Sequence, residues 1–244
     1  MPNYKIIVQY RGSNFAGWQI QDNAFTVQQA LTDGINKITR EKVNLIGSGR
    51  TDAGVHALGQ TANFRIEKEI IKEKFLYSLN SVISKDISVI SIEDVEDSFH
   101  ARFDAKKRSY IYLFTKIKSP FYNEFSYHVN WIDDKFIADA NKLSKTILGI
   151  HDFTSFCRIN MDVKSKQCEI FDMHWKNKGE LVCFYIEANR YLHGMVRTIV
   201  GTVIQGVKQN CEQDYLLKII DSKNRESAGM AAPARGLFLY KVKY

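Results

Sequence analysis

Apolar positions along this chain recur at two spacings, and the spacings alternate in an order that occurs twice. Residues 4–10 (YKIIVQY) read as a strand. In TVQQALTDGINKITR, Val27, Ala30, Leu31, Gly34, Ile35 and Ile38 share one helical face, and Thr26 stands where an N-cap belongs. Strand patterns at 43–46 and 59–65 bracket a glycine-rich stretch. A helix over 70–83 follows, with Ile71, Phe75, Leu79 and Val82 as its stripe, and residues 87–95 close the first half as a strand. The second half starts with a strand over 107–116 and a helix over 134–148 carrying Phe136, Ile137, Ala140, Leu143 and Ile147. Strands at 168–175 and 181–188, helices at 193–207 and 214–220, and a last strand in GLFLYKVKY complete it. Each half therefore predicts β-α-β-β-α-β, the split βαβ order of a ferredoxin-like domain, in an α+β chain. The repeat is one of element order, not of residue identity. No low-complexity linker separates the halves, and element order sets the division at 1–104 and 105–244.

Composition narrows the class. A chain of 244 residues, 45% hydrophobic and 25% charged, can bury a sizeable core. Its net charge of +7 and pI near 9.1 suggest a polyanionic partner such as nucleic acid. Cys157, Cys168, Cys183 and Cys211 form no C-x-x-C pair, which argues against a zinc ribbon or a redox dithiol. None of the six histidines has metal-ligand spacing with Cys or carboxylates, so no metal is expected. MPNYKIIVQY is a strand pattern rather than a signal peptide, and no apolar run approaches the roughly 18 residues of a membrane span. A cytoplasmic protein with reduced thiols and no membrane partner is the expectation.

The chemistry concentrates in GSGRTDAGVHALGQ, residues 47–60. A dinucleotide fingerprint needs G-x-G-x-x-G, but Asp52 stands where the third glycine should fall. A P-loop needs G-K-[ST] opening a helix, whereas Gly49-Arg50-Thr51 leads through Asp52 and Gly54 into a strand. A nucleotide-dependent enzyme thus fails on glycine spacing. Two readings remain. One is a turn held by a buried Arg50–Asp52 ion pair. The other is a working carboxylate: a guanidinium and a carboxylate are costly to desolvate together, and a neighbouring arginine favours the ionised form that a nucleophile or base requires.

The same loop resembles the signature of the TruA family of tRNA pseudouridine synthases. YRGSNFAGWQIQ with TVQQAL resembles that family's opening, SFHARFDAKKRSYIY its middle, and HDFTSF, NRYLHGMVRTIVG and SAGMAAPARGLFLYKVKY its later blocks, in order. The resemblance implies a pseudouridine synthase fold, two ferredoxin-like halves with largely antiparallel sheets meeting at a central RNA-binding cleft. It implies an isomerase that turns uridine into pseudouridine at tRNA positions 38, 39 and/or 40, in the anticodon stem-loop. It also implies a homodimer with tRNA lying across both subunits, and no cofactor, because reactant and product are isomers. Other readings are a diverged paralogue acting on another tRNA uridine, and a catalytically silent tRNA-binding protein.

By the same resemblance Asp52 is the catalytic aspartate, with nucleophile at C1′ and base at C2′ both open. Tyr110 matches the active-site tyrosine, placed to stack on the displaced uracil or to help remove its C5 proton. Without the motif it reads as a core aromatic. Arg197 matches the arginine that pairs with the aspartate; as a charge close to an apolar helix face it needs a partner. Arg50 is a candidate for the flipped nucleotide's phosphates or the RNA backbone. His56, Gln60 and His193 are candidate RNA contacts, and Leu237 a candidate wall of the uracil pocket. Arg102, Lys106, Lys107 and Arg108 form a basic run suited to the RNA backbone. The chain departs from the family at Arg11 (usually Asp), at Ile20 (frequently Arg), in NSVISKDI (no proline) and over 156–168.

Overall fold

The computed structural model describes residues 1–158 and 165–244. Along the chain lie β1 (Asn3–Tyr10), α1 (Val27–Thr39), β2 (Ile46–Gly47), β3 (His56–Arg65), α2 (Lys72–Val82) and β4 (Ile87–Val95). They are followed by β5 (Lys107–Thr115), β6 (Tyr127–His128), α3 (Asp134–Lys145), β7 (Gly149–Asp152), β8 (Gln167–Lys178) and β9 (Leu181–Ala188). The last elements are α4 (Met195–Lys208), α5 (Tyr215–Ser222) and β10 (Leu237–Lys243). Two compact units result: Met1–Lys106 with Phe238–Tyr244, and Lys107–Leu237.

In the first unit β1 lies between β3 and β4, antiparallel to both, and β2 is antiparallel to β3. The order β4-β1-β3-β2 is that of a split βαβ domain. Alternation along β1 turns Tyr4, Ile6, Val8 and Tyr10 inward, and all four are buried. Above them α1 begins where Thr26 accepts a hydrogen bond from the Gln29 N–H, and Val27, Ala30, Leu31, Gly34 and Ile35 are buried. β10 runs parallel to the N-terminal end of β3, with Phe238 opposite His56 and Leu239 opposite Ala57. Element order alone keeps that strand with the second half; the long-range pairing returns it to the first unit.

The second unit has the antiparallel order β5-β9-β8-β7, with β6 parallel to β5. Phe114, Trp175 and Phe184 pack ring on ring in its core: Phe114 lies 5.4 Å and Phe184 4.7 Å from Trp175. α3 is locked to β8 by polar bonds as well as burial. Asn141 accepts from the Trp175 N–H at 2.9 Å and donates to its carbonyl at 3.0 Å, while the Trp175 indole donates to Ser144 Oγ at 2.9 Å.

Local differences from the sequence pattern have physical reasons. Of the strand expected over 43–46, only Ile46 enters a ladder. Side chains of α1 take the other backbone groups instead: Asn36 Oδ1 accepts from the Val43 N–H and Gln28 Nε2 donates to the Leu45 carbonyl. On α2, Phe75 and Leu79 are buried, but Ile71 is 70% and Val82 42% exposed, so the stripe is half as wide as its periodicity suggests. α3 ends at Lys145, and the residues read as its tail lead into β7, a short edge strand. α4 starts at Met195 because Gly194, at φ 75°, turns the chain immediately before it.

Candidate active site

The loop between β2 and β3 is pinned from beneath. Ser48 donates from its N–H to the Thr61 carbonyl at 2.8 Å and from its hydroxyl to Gln60 Oε1 at 2.6 Å. The Gln60 amide nitrogen then donates to the Gly49 carbonyl at 2.9 Å. Thr51 is gripped at both ends: its hydroxyl lies 2.8 Å from the Tyr10 hydroxyl, and its carbonyl accepts from the Trp18 N–H at 3.1 Å. Gly17 lets the opening segment come this close. Its φ is +95°, and a Cβ there would stand 2.6 Å from the Thr51 carbonyl oxygen. The loop closes with the Val55 N–H donating to the Asp52 carbonyl at 3.2 Å. Asp52 is half-buried on this fixed backbone, and Arg50 reaches outward, its Nε donating to Gln19 Oε1 at 3.1 Å. A carboxylate so held loses little freedom on engaging a substrate.

His56 and Gln60, read from sequence as RNA contacts, lie under the loop and not on its surface. Gln60 is fully buried, with both ends of its amide engaged. His56 is 1% exposed, accepts from the Gly12 N–H at 3.1 Å through Nδ1, and stacks on Phe238 at 4.7 Å. The divergent Arg11 also has a structural setting: it pairs with Asp86 at 2.7 Å, and Asn14 donates to the other oxygen of that carboxylate at 2.7 Å. The Asn14 amide holds the Asp86 carboxyl below its ordinary 3.8, against the upward push of burial and with help from Arg11. Ile20 is 40% exposed. The divergent segment 156–168 lies partly outside the described residues.

The second unit carries Tyr110 and Arg197. Tyr110 sits on β5 opposite Ile186, 8% exposed, with Tyr191 meeting it edge-on at 5.1 Å and 87°. Tyr191 donates to the Arg108 carbonyl at 3.2 Å, and the Arg108 side chain donates to the Asn189 carbonyl at 3.0 Å. Burial, ahead of the neighbouring Tyr110, pushes the Tyr191 phenol well above its ordinary value, so it stays a donor. Arg197, on α4, is tied to the segment before β10: its Nε donates to the Ala232 carbonyl at 2.7 Å, and the Ala232 N–H returns a bond to the Arg197 carbonyl at 2.9 Å. Tyr112 donates to the next carbonyl, Pro233, at 2.7 Å, and burial pushes its phenol upward. Leu237 is buried at the start of β10, and His193 is exposed before α4.

Within the second unit the basic run divides on β5. On β5, Lys107 and Ser109 share a face with Glu187: Lys107 lies 3.5 Å from its Oε1 and Ser109 donates to its Oε2 at 3.1 Å. Arg108 and Tyr110 alternate to the opposite face. Arg102 and Lys106 are exposed on the loop ahead of the strand, in the first unit. Among the described residues no three His, Cys, Asp or Glu side chains gather where they could hold a metal ion. Among them too, no helix is long and apolar enough to cross a membrane.

A family model described as tRNA pseudouridine synthase matches residues 6–104 and 143–244, spanning both the Asp52 loop and the Arg197 helix. The chain belongs to the tRNA pseudouridine synthase family. Among curated relatives, tRNA pseudouridine synthase A of Thermoanaerobacter sp. (strain X514) is 41% identical over 246 residues, covering 100% of both chains. That of Brachyspira hyodysenteriae is 40% identical over 247 residues, covering 99% of this chain and 98% of the relative. tRNA pseudouridine synthase A 2 of Clostridium perfringens is 36% identical over 246 residues, again covering 100% of each. The α+β units with their mostly antiparallel sheets are the pseudouridine synthase fold.

The residues that hold the candidate groups in place lie inside the same sequence motifs as those groups. Tyr10, Trp18 and Ser48 fix the Asp52 loop, and Tyr191 and Ala232 brace Tyr110 and Arg197. All five lie in the motifs given above, Tyr10 and Trp18 in YRGSNFAGWQIQ and Ser48 in GSGRTDAGVHALGQ. Their roles depend on which groups pass by in the fold, and residue type does not encode that.

Proposed function

We propose that this isomerase converts uridine to pseudouridine at positions 38, 39 and/or 40 of the tRNA anticodon stem-loop, using Asp52, Tyr110 and Arg197. Family membership across the chain supports the isomerisation of uridine in tRNA. The observation that carries the residue assignment is the pinned GRTDAG loop, which spends buried hydrogen bonds from Tyr10, Trp18, Ser48 and Gln60 on fixing one half-buried carboxylate.

The reaction breaks the N1–C1′ bond of uridine, turns the base and forms C5–C1′, while a proton leaves C5 and N1 gains one. Atoms balance without an oxidant, reductant or cofactor. Asp52 acts at C1′ as nucleophile or at C2′ as base. Arg197 pairs with it as counter-charge, and its bond to Ala232 fixes the guanidinium's direction. Tyr110 stacks on the displaced uracil or takes part in removing the C5 proton. The target nucleotide leaves its stack to expose the sugar, with Arg50 taking phosphate. The first unit thus contributes the aspartate loop and the second completes the site, in a cytoplasmic homodimer with tRNA lying across both subunits.

The test is tritium release from tRNA labelled at uridine C5, comparing wild type with Asp52→Asn, followed by mapping of the modified position. Release by wild type alone, with Asp52→Asn still binding tRNA, is expected. The substitution is nearly isosteric and removes a negative charge facing phosphates. Equal release by both proteins overturns the role of Asp52. A modified uridine outside 38–40 makes the chain a diverged paralogue, and tRNA binding without any release makes it a silent binder.

A further inference from the structure

Phe103 is a large apolar side chain left 75% exposed on a loop that is otherwise tied down. Ala101, two residues earlier, is fully buried. Its N–H donates to Asn63 Oδ1 at 2.9 Å, and its carbonyl accepts from the Tyr244 hydroxyl at 2.8 Å. Asn3, itself buried, donates to the Phe99 carbonyl at 3.0 Å. His100 organises the tip: its Nδ1 accepts from the Arg102 and Phe103 N–H groups at 3.2 and 3.3 Å, and its ring lies 4.3 Å from the Phe103 ring. Asp104 closes the turn, accepting from the His100 N–H at 2.8 Å, and the Lys106 N–H is bound to the Lys243 carbonyl at 2.9 Å.

This backbone cannot fold away to hide the ring. A surface turn needs no buried Asn pair beneath it, and an exposed Phe gains nothing from water. The surroundings supply a reason. Arg102 places its guanidinium carbon 5.7 Å from the centroid of the same ring, and the exposed Lys106 follows three residues later. The one carboxylate at the tip, Asp104, is engaged with the turn's own backbone. A rigid aromatic face flanked by cations is the arrangement that stacks a nucleobase while its phosphates are neutralised.

We infer that Phe103 is a stacking platform for a base splayed out of the bound tRNA, with Arg102 and Lys106 holding the flanking phosphates. The inference rests on the tRNA activity proposed above. Because every base has a π-face, the contact contributes affinity rather than sequence preference.

The experiment compares wild type, Phe103→Leu and Phe103→Tyr for binding and turnover of unmodified tRNA transcript, with thermal midpoints and sedimentation as controls. Phe103→Leu keeps apolar bulk but has no π-face, so Kd and KM are expected to rise about tenfold or more, within the range for losing one stacked base. Phe103→Tyr stays near wild type. The salt dependence of Phe103→Leu keeps the wild-type slope, because no phosphate contact is lost. All midpoints are unmoved, as the ring is largely exposed.

Wild-type affinity in Phe103→Leu overturns the stacking role and leaves the proposed function standing. Equal weakening in Phe103→Tyr overturns it as well, since the hydroxyl leaves the ring face in place. A change in sedimentation with unchanged tRNA binding would make the ring a self-association contact instead. If wild type neither binds nor modifies tRNA, the proposed function fails first and this inference with it.

Discussion

Asp86 decides whether the turn after β1 stays closed against the strand that follows the Asp52 loop. Its carboxylate holds Arg11 and Asn14, and between them the Gly12 N–H reaches His56 at the head of β3. Because Asn14 and Arg11 depress its folded-state pKa, the stabilisation is present above the unfolded value near 3.8 and is lost as pH falls through the lower folded value. Asp86→Asn should therefore lower unfolding stability by about 1 kcal/mol at neutral pH, the size of lost charge-assisted hydrogen bonds discounted for solvent screening at a partly exposed site. Urea titrations of both proteins should show that gap narrowing below about pH 4; a gap of constant size would mean the carboxylate's charge is not what matters. At this scale the sequence was legible where residue type alone sets local structure, as with Thr26, whose side chain caps α1 as its place before the helix implies. It was illegible where placement decides. Gln60 looks the same in sequence whether its amide meets RNA or the loop above it, and the aromatic in ARFDAKK gives no sign that it is exposed.

Among elements, α4 is the one whose position depends most on a missing side chain. A Cβ on Gly201 would stand 1.8 Å from the Met230 carbonyl oxygen and 3.3 Å from the Ala232 nitrogen, so the segment before β10 lies directly on the helix backbone. In an exposed helix Gly→Ala stabilises by about 1 kcal/mol. Here overpacking against backbone, at about 1–3 kcal/mol, works against that gain and has no flexible side chain to absorb it. Gly201→Ala should thus lower the unfolding free energy by about 1 kcal/mol. It should also reduce turnover more than tRNA affinity, because the displaced Ala232 carbonyl is the one that orients Arg197. An unchanged melting temperature with full turnover would show that the segment can shift without cost. Periodicity exposed the amphipathic helices and the alternating strands, since a buried stripe leaves its period in sequence. It missed β6 and β7, of two and four residues, which are too short to show one. It also extended a strand over 43–45, where side chains of α1 replace the ladder.

For the whole molecule, the net charge of +7 acquires meaning only from where the cations lie. The run 102–108 looks continuous in sequence, yet Lys107 is turned to Glu187 while Arg108 alternates to the other face of β5. Arg102 and Lys106 sit on the Phe103 loop, and Arg50 extends from the Asp52 loop. Folding thus distributes the charge among loops, which suits contact with several phosphates along a folded RNA better than with one. The same long-range logic escaped the sequence at the chain's end: nothing local in GLFLYKVKY says that it pairs with β3, a partner distant in sequence. If about six phosphates are neutralised, counterion release predicts a loss of roughly a thousandfold in tRNA affinity between about 50 and 200 mM salt. Arg102→Ala should make that slope shallower by about one contact, whereas Lys107→Ala should change it little because its ammonium already faces a carboxylate. Fluorescence anisotropy across a salt series with labelled tRNA measures all three. A flat wild-type response would remove the phosphate contacts altogether, and equal slopes for Arg102→Ala and wild type would move them off the Phe103 loop.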